Sequence, residues 1–193
     1  MMDTKKAIIL GSLFVLMVVL AVLFFSRGGE EKIKESPALS PYAHERPIGE
    51  EVRAKKVDLF FPAEEDSLLH REEREIVASS SVVEEARQVI EELLKGSRSG
   101  YLSPFPPETK LREIYLTAEG IAYVDFTREI QEKHLHGSSA EMATIFSIVN
   151  SLTYNFEPIK KVFILVDGRE KETLGGHISL AQPFLPKYDL VSQ

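Results

Sequence analysis

REIYLTAEGIAYVDF, residues 112–126, decides the fold. Two runs, 112–117 and 121–126, alternate apolar and polar side chains across the spacer Ala118, Glu119 and Gly120. Period-two alternation marks a half-buried strand, and a short spacer containing Gly supplies the positive φ that a tight reversal needs. The pattern predicts a hairpin. Ile114 and Leu116 face the core from its first strand, and Ala122, Val124 and Phe126 from its second.

Downstream, residues 138–156 repeat apolar side chains at helical spacing, with Ser138 or Ser139 as cap and Met142, Ile145, Phe146, Val149, Leu152 and Thr153 on one face. Asn150 breaks that pattern and is expected to hydrogen-bond a neighbouring segment. After Pro158, KVFILVD at 161–167 is apolar on both faces, which predicts a central strand turned by Asp167 and Gly168. Leu180, Phe184 and Leu185 are expected to cover apolar surface.

Upstream, VDLFFP at 57–62 puts Val57, Leu59 and Phe61 on one face of a strand that ends at Pro62. A polar turn at 63–67 leads to a charged extended segment finishing at Glu75, Ile76 and Val77. Ser80 or Ser81 then caps a helix with Glu84 and Glu85 in its first turn, buries Val82, Ala86, Val89, Ile90 and Leu93, and stops at Gly96. Residues 96–110 form a long loop with three prolines. The order β-β-α-β-β-α-β predicts an α/β (α+β) domain, a mixed β-sheet with two helices packed mainly on one face.

Ahead of this domain, residues 7–25, AIILGSLFVLMVVLAVLFF, carry no charged side chain and follow Lys5 and Lys6. As a helix the run would rise roughly 28 Å, against about 30 Å of bilayer hydrocarbon, and it is read as a separate N-terminal transmembrane helix after a short tail at 1–6. A cleaved signal peptide is the rival reading, but Leu23 to Arg27 offer no small-x-small cleavage site. A lipid-anchored start is excluded by the absence of cysteine. Lys5 and Lys6 favour a cytoplasmic N-terminus, against which Arg27, Lys32 and Lys34 weigh in part. Residues 26–55, rich in charge, Pro and Gly, form a linker whose coil would reach roughly 30 Å and about 95 Å when stretched. The globular domain is placed at 56–187, with a tail at 188–193.

With Lys5, Lys6 and Asp3 set aside from the 23 basic and 30 acidic side chains, the part beyond the apolar run carries about −8. A nucleic-acid partner is not expected from such a balance. Zero cysteines exclude disulfides and thiolate metal sites.

LFFP at 59–62, LLKG at 93–96, PFPPETKL at 104–111, AYVDF at 122–126, IVNSL at 148–152 and VFILVDG at 162–168 occur in an order that resembles the GerMN domain family of sporulation and spore-germination proteins. The resemblance spans residues 57–184 and implies an α/β domain on the outer side of the cytoplasmic membrane without assigned catalytic residues. Similarity of GerMN domains to ring-building modules implies protein–protein association, with itself or with an envelope protein. A single copy here, where the protein that gave the name has two, sets ring assembly apart from that implication.

No residue is assigned a catalytic, cofactor-binding or metal-binding role, and no cofactor is expected. His134 and His136 have a spacing open to a metal but no third ligand, so both are read as exposed loop side chains. His177, after Gly175 and Gly176, is read as a structural hydrogen-bonding residue, and Asp125 as a partner of loop backbone. GSRSG at 96–100 has Arg98 where a nucleophile elbow needs Ser and follows a helix, so it is discarded. Glu64, Glu65 and Asp66 read as a solvated turn, although a carboxylate pair of that kind could serve a glycan hydrolase. The sequence therefore favours a non-catalytic, membrane-anchored envelope domain that mediates association. Its alternatives are a peptidoglycan-binding module and a peptidoglycan hydrolase.

Overall fold

The computed structural model describes residues 53–135 and 137–193. The transmembrane reading of 7–25 and the linker up to residue 52 lie outside the described residues, as does His136. No described helix is long and apolar enough to cross a membrane. The elements are β1 (Ala54–Pro62), β2 (Leu69–Val77), α1 (Val82–Leu94), β3 (Leu111–Leu116), β4 (Ile121–Phe126), α2 (Glu129–Glu132), α3 (Ser138–Asn155) and β5 (Lys161–Val166), followed by a 3-10 turn at Tyr188–Leu190. The order matches the sequence reading with one addition, the single turn α2, which packs Ile130 into the core.

The strands form two sheets instead of one. Among the strands, β1 and β2 pair with each other alone, antiparallel, while β3, β4 and β5 form a second sheet in that order. The reason lies on α3. Asn155 accepts from the Asp58 N–H at 2.9 Å and donates to the Asp58 carbonyl at 2.6 Å, and Ser151 Oγ accepts from the Phe60 N–H at 3.1 Å. Helix side chains occupy the β1 edge that a neighbouring strand would need, so the sheet closes there.

β5 is not central. It pairs in parallel with β4, the central strand of its sheet, and its outer edge meets the C-terminal stretch, where Val162 and Phe184 exchange backbone bonds of 3.0 and 2.8 Å. That cover, with core on one side and Phe163 against Tyr123 on the other, explains an edge strand apolar on both faces. Between β3 and β4, Gly120 sits at φ +81°, and a Cβ there would stand 2.8 Å from the Pro158 carbonyl. Both conformation and space demand glycine.

In α1, Ser81 accepts from the Glu84 N–H and Ala86, Val89, Ile90 and Leu93 are buried, as expected, but Val82 is only half-buried and Glu85 is buried, where it accepts from Lys55 Nζ and the Ser79 N–H. α3 departs from its prediction. Its N-cap is Gly137, without a side-chain bond, and Ser138 and Ser139 lie exposed within the first turn. Burial runs almost around its middle, taking in Ile148 and the polar Thr144, Ser147, Asn150 and Ser151, while Phe146 is half-buried against Phe184. This helix packs against β1, α1 and β5, and the chain end binds it as well. A single apolar face could not serve so many neighbours.

Leu180 is fully buried and Phe184 partly so, but Leu185 is 61% exposed and covers nothing. Asn150 bonds both backbone groups of Lys187, at 3.0 and 2.9 Å. Residues beyond 187 continue the fold: Val191 bridges Leu69, and the Ser192 N–H donates to the Leu69 carbonyl at 2.9 Å. Likewise β1 starts at Ala54, two residues ahead of the boundary placed at 56.

Candidate docking cavity beside the proline-rich loop

Beyond α1, Gly96 takes φ +82° and turns residues 97–99 back onto β2. Glu72 receives them: Ser97 Oγ donates at 2.6 Å, and the Arg98 and Ser99 amides each donate at 3.0 Å. Arg74, itself buried, donates through Nε to the same carboxylate at 2.6 Å and through Nη2 to the Gly96 carbonyl at 2.9 Å. Burial alone would raise the Glu72 pKa, but these donors outweigh it and hold the group at about 2. The GSRSG segment is thus a cradle for an internal carboxylate.

From this anchor the loop crosses the molecule. The Leu102 N–H donates to the Pro62 carbonyl at 2.9 Å, Thr144 Oγ1 donates to the Pro104 carbonyl at 2.5 Å, and Phe105 is buried beside Phe126. Three proline rings between 104 and 107 remove backbone donors that would otherwise need partners. What the loop leaves beneath it is an open cavity of about 330 Å³ between the end of β1, the loop and the start of α3. Pro62, Ala63, Pro104 and Pro106 form one side, and Ala140 and Ala143 the other. Leu102 and Leu135 also line it, 46% and 73% exposed. A concave, largely apolar site bordered by exposed leucines can receive an apolar side chain.

His134 belongs to this cavity's wall and corrects the sequence reading. It is buried, with Nε2 2.8 Å from Thr144 Oγ1 and Nδ1 2.7 Å from the Leu135 carbonyl. Its ring ties the segment after α2 to α3, which sets the position of Leu135. No group of three or more His, Asp or Glu is placed to hold a metal among the described residues. Sequence reasoning did not assemble the cavity because it is built from three distant segments, and the prolines and alanines that supply much of its wall carry no functional signature.

His177, Asp125 and the acidic turn sit elsewhere, and His177 is joined there by Glu141, which the sequence did not single out. Glu141 is fully buried at the start of α3, accepting from the His177 amide at 2.9 Å, His177 Nδ1 at 2.8 Å and the Ile178 amide at 3.0 Å. Burial pushes its pKa up, yet the donors, including the Gly175 amide, bring it below the ordinary carboxylate value. His177 is structural, as expected. Asp125 accepts from the Gly168 N–H at 2.8 Å and Arg112 Nε at 2.9 Å, likewise a turn-stabilising role. Glu64 and Glu65 are exposed, and Asp66 accepts from the Leu68 N–H at 2.9 Å within its own turn.

The architecture is similar to solved GerMN domains. The first GerMN domain of the sporulation protein GerM from Bacillus subtilis matches with a TM-score of 0.52 at 20% identity, over 70% of this chain and 99% of that one. The tandem GerMN domains of the same protein match at a TM-score of 0.55 and 20% identity, over 71% of this chain and 48% of that one. A Clostridium perfringens protein described as a candidate lipoprotein shares 25% identity over 68% of this chain and 87% of its own, at a TM-score of 0.49, too low to carry an argument. No curated protein matches. These likenesses define a GerMN-like α+β domain. A family described as Germane, sporulation and spore germination, matches residues 58–172, more than half of the chain, and the chain belongs to that family.

Proposed function

We propose that the protein is a non-catalytic component of a bacterial envelope assembly, held at the cytoplasmic membrane by residues 7–25 with its GerMN-like domain on the outer side. The domain associates with another envelope protein, or with a second copy of itself, by seating an apolar side chain of the partner in the cavity beside the proline-rich loop. One observation carries this reading: the cavity is apolar and open, and it is lined by two leucines, Leu102 and Leu135, that the fold leaves largely uncovered. The conspicuous ionisable groups have other employment, since Glu72, Glu141 and Asp125 each hold loop backbone. Membership of a sporulation and germination family supports such an assembly as the setting.

The test is a crosslinked pull-down from intact membranes with the full chain and with Leu135→Asp. The wild type is expected to retain a defined partner that the variant loses by about tenfold or more, a change of about 1.4 kcal/mol or greater. Identical recovery with both proteins would overturn the cavity as the docking point. Release of muropeptides from purified peptidoglycan by the chain, abolished by a single carboxylate substitution, would overturn the non-catalytic reading.

A further inference from the structure

A second concavity of about 530 Å³, sharing no lining residue with the loop cavity, is lined by Tyr101, Tyr154 and Tyr188, with Phe60 and Arg71 beside them. Two of these tyrosines are much more exposed than a packed ring would be, Tyr154 at 48% and Tyr188 at 44%. They are nevertheless held in place. Tyr154 meets the buried Phe60 edge-to-face at 5.4 Å and Tyr188 at 6.1 Å, and its hydroxyl accepts from Arg71 Nη1 at 3.2 Å. The Tyr188 hydroxyl lies 3.1 Å from Thr153 Oγ1, and across the cleft Tyr101 stacks on His70 at 5.0 Å.

We propose that this cleft is a binding subsite for an uncharged oligosaccharide. Its complement must offer apolar faces to the rings and hydrogen-bonding groups to what lies between them. A pyranose does both: the C–H bonds on one face are weakly positive and suit the negative face of an aromatic ring, while its rim is hydroxyl. Charge selects the neutral member of that class. Arg71 is the cation of the cleft, and its Nε stands 3.6 Å from the Asp58 carboxylate, which balances it. The acidic chain adds no long-range pull on an anionic polymer. The volume is within the range that encloses small ligands, and prefixed rings spare the ligand the cost of ordering them. Tyr154 keeps its own O–H to donate while its oxygen accepts from Arg71, and the Tyr188 hydroxyl and the Arg71 guanidinium likewise retain hydrogen-bonding capacity for sugar hydroxyls.

The subsite is separate from the loop cavity, and its test separates the two. Calorimetric titration of the full chain, in a detergent without a sugar headgroup, with tetra-N-acetylchitotetraose should give saturable binding. Tyr188→Ala and Tyr154→Ala should each weaken it about tenfold, Tyr154→Phe should change it less than about threefold, and Tyr115→Ala, at an exposed tyrosine that lines neither cavity, should leave it unaltered. Tyr188 lies on an exposed 3-10 turn, so its variant keeps the test valid if Tyr154→Ala loses the fold. Absence of saturable heat, binding indifferent to both alanine variants, or tyrosine-dependent capture of a proline-rich peptide with no response to the sugar would overturn the proposal.

Discussion

α1 and α3 are both long amphipathic helices in sequence terms, yet they are used differently. α1 lays one stripe on the core, leaves Glu84 and Glu91 to solvent and, among its polar residues, buries only Glu85. α3 is surrounded, and its polar residues are structural parts: Ser151 and Asn155 finish the β1 edge, while Asn150 holds the returning chain at Lys187. The difference teaches that a buried polar side chain on a helix can substitute for a missing strand. It also turns a would-be continuous sheet into two.

The largest expected effect probes what the helices share. Val89→Asp on α1 and Ile148→Asp on α3 each bury an unpaired charge at a fully enclosed position, at a cost of several kcal/mol against a total stability of about 5–15. Neither variant should show a cooperative thermal transition. Phe146→Asp, at a half-buried site, should melt measurably lower but remain folded; equal collapse of all three would show that α3 is not differentiated as described.

Next in size is the β2 carboxylate, Glu72, that holds the segment following α1. The Glu72 pKa falls from 4.5 to about 2 on folding, so its stabilisation is complete above the unfolded value and is lost as pH falls through about 2. The full shift corresponds to about 3 kcal/mol. Glu72→Gln should therefore be clearly less stable than the parent at pH 7, with the gap narrowing as acid unfolding is followed downward from about pH 4.5. A constant gap would place the loss in the hydrogen bonds alone.

A smaller pair sharpens the contrast between the helices. Gln88 on α1 bonds both backbone groups of Val77, at 2.8 and 2.9 Å, as Asn150 on α3 bonds those of Lys187, but the first amide is near solvent and the second is fully buried. Asn150→Ala should cost about 1–3 kcal/mol, and Gln88→Ala less than about 1. Denaturant midpoints at equal slope measure both, and equal losses would remove the distinction drawn here.

How far the sequence discloses this fold follows the same division. α1, its Ser81 cap, the β3–β4 hairpin and the Asp167–Gly168 turn were readable because local periodicity and turn chemistry determine them. The separation of the sheets was not, since it depends on bonds between positions such as Asp58 and Asn155, 97 residues apart. β5 reads as central for the same reason: nothing local announces that Phe184 will return to its edge. His177 and Asp125 were legible as backbone partners, whereas burial of His134 depends on Thr144, nearly two turns into the next helix. The loop cavity left no local trace beyond the prolines of 104–107.

The central claim, that the apolar cavity is where another protein docks, is tested most directly by placing a photo-crosslinking side chain at residue 135 of the full chain in living cells, with residue 115 on the exposed side of β3 as control. The account predicts a discrete crosslinked product from position 135, suppressed by Leu102→Asp at an unchanged melting temperature, and none of that product from 115. A product of the same size and yield from both positions, or one indifferent to Leu102→Asp, would contradict it.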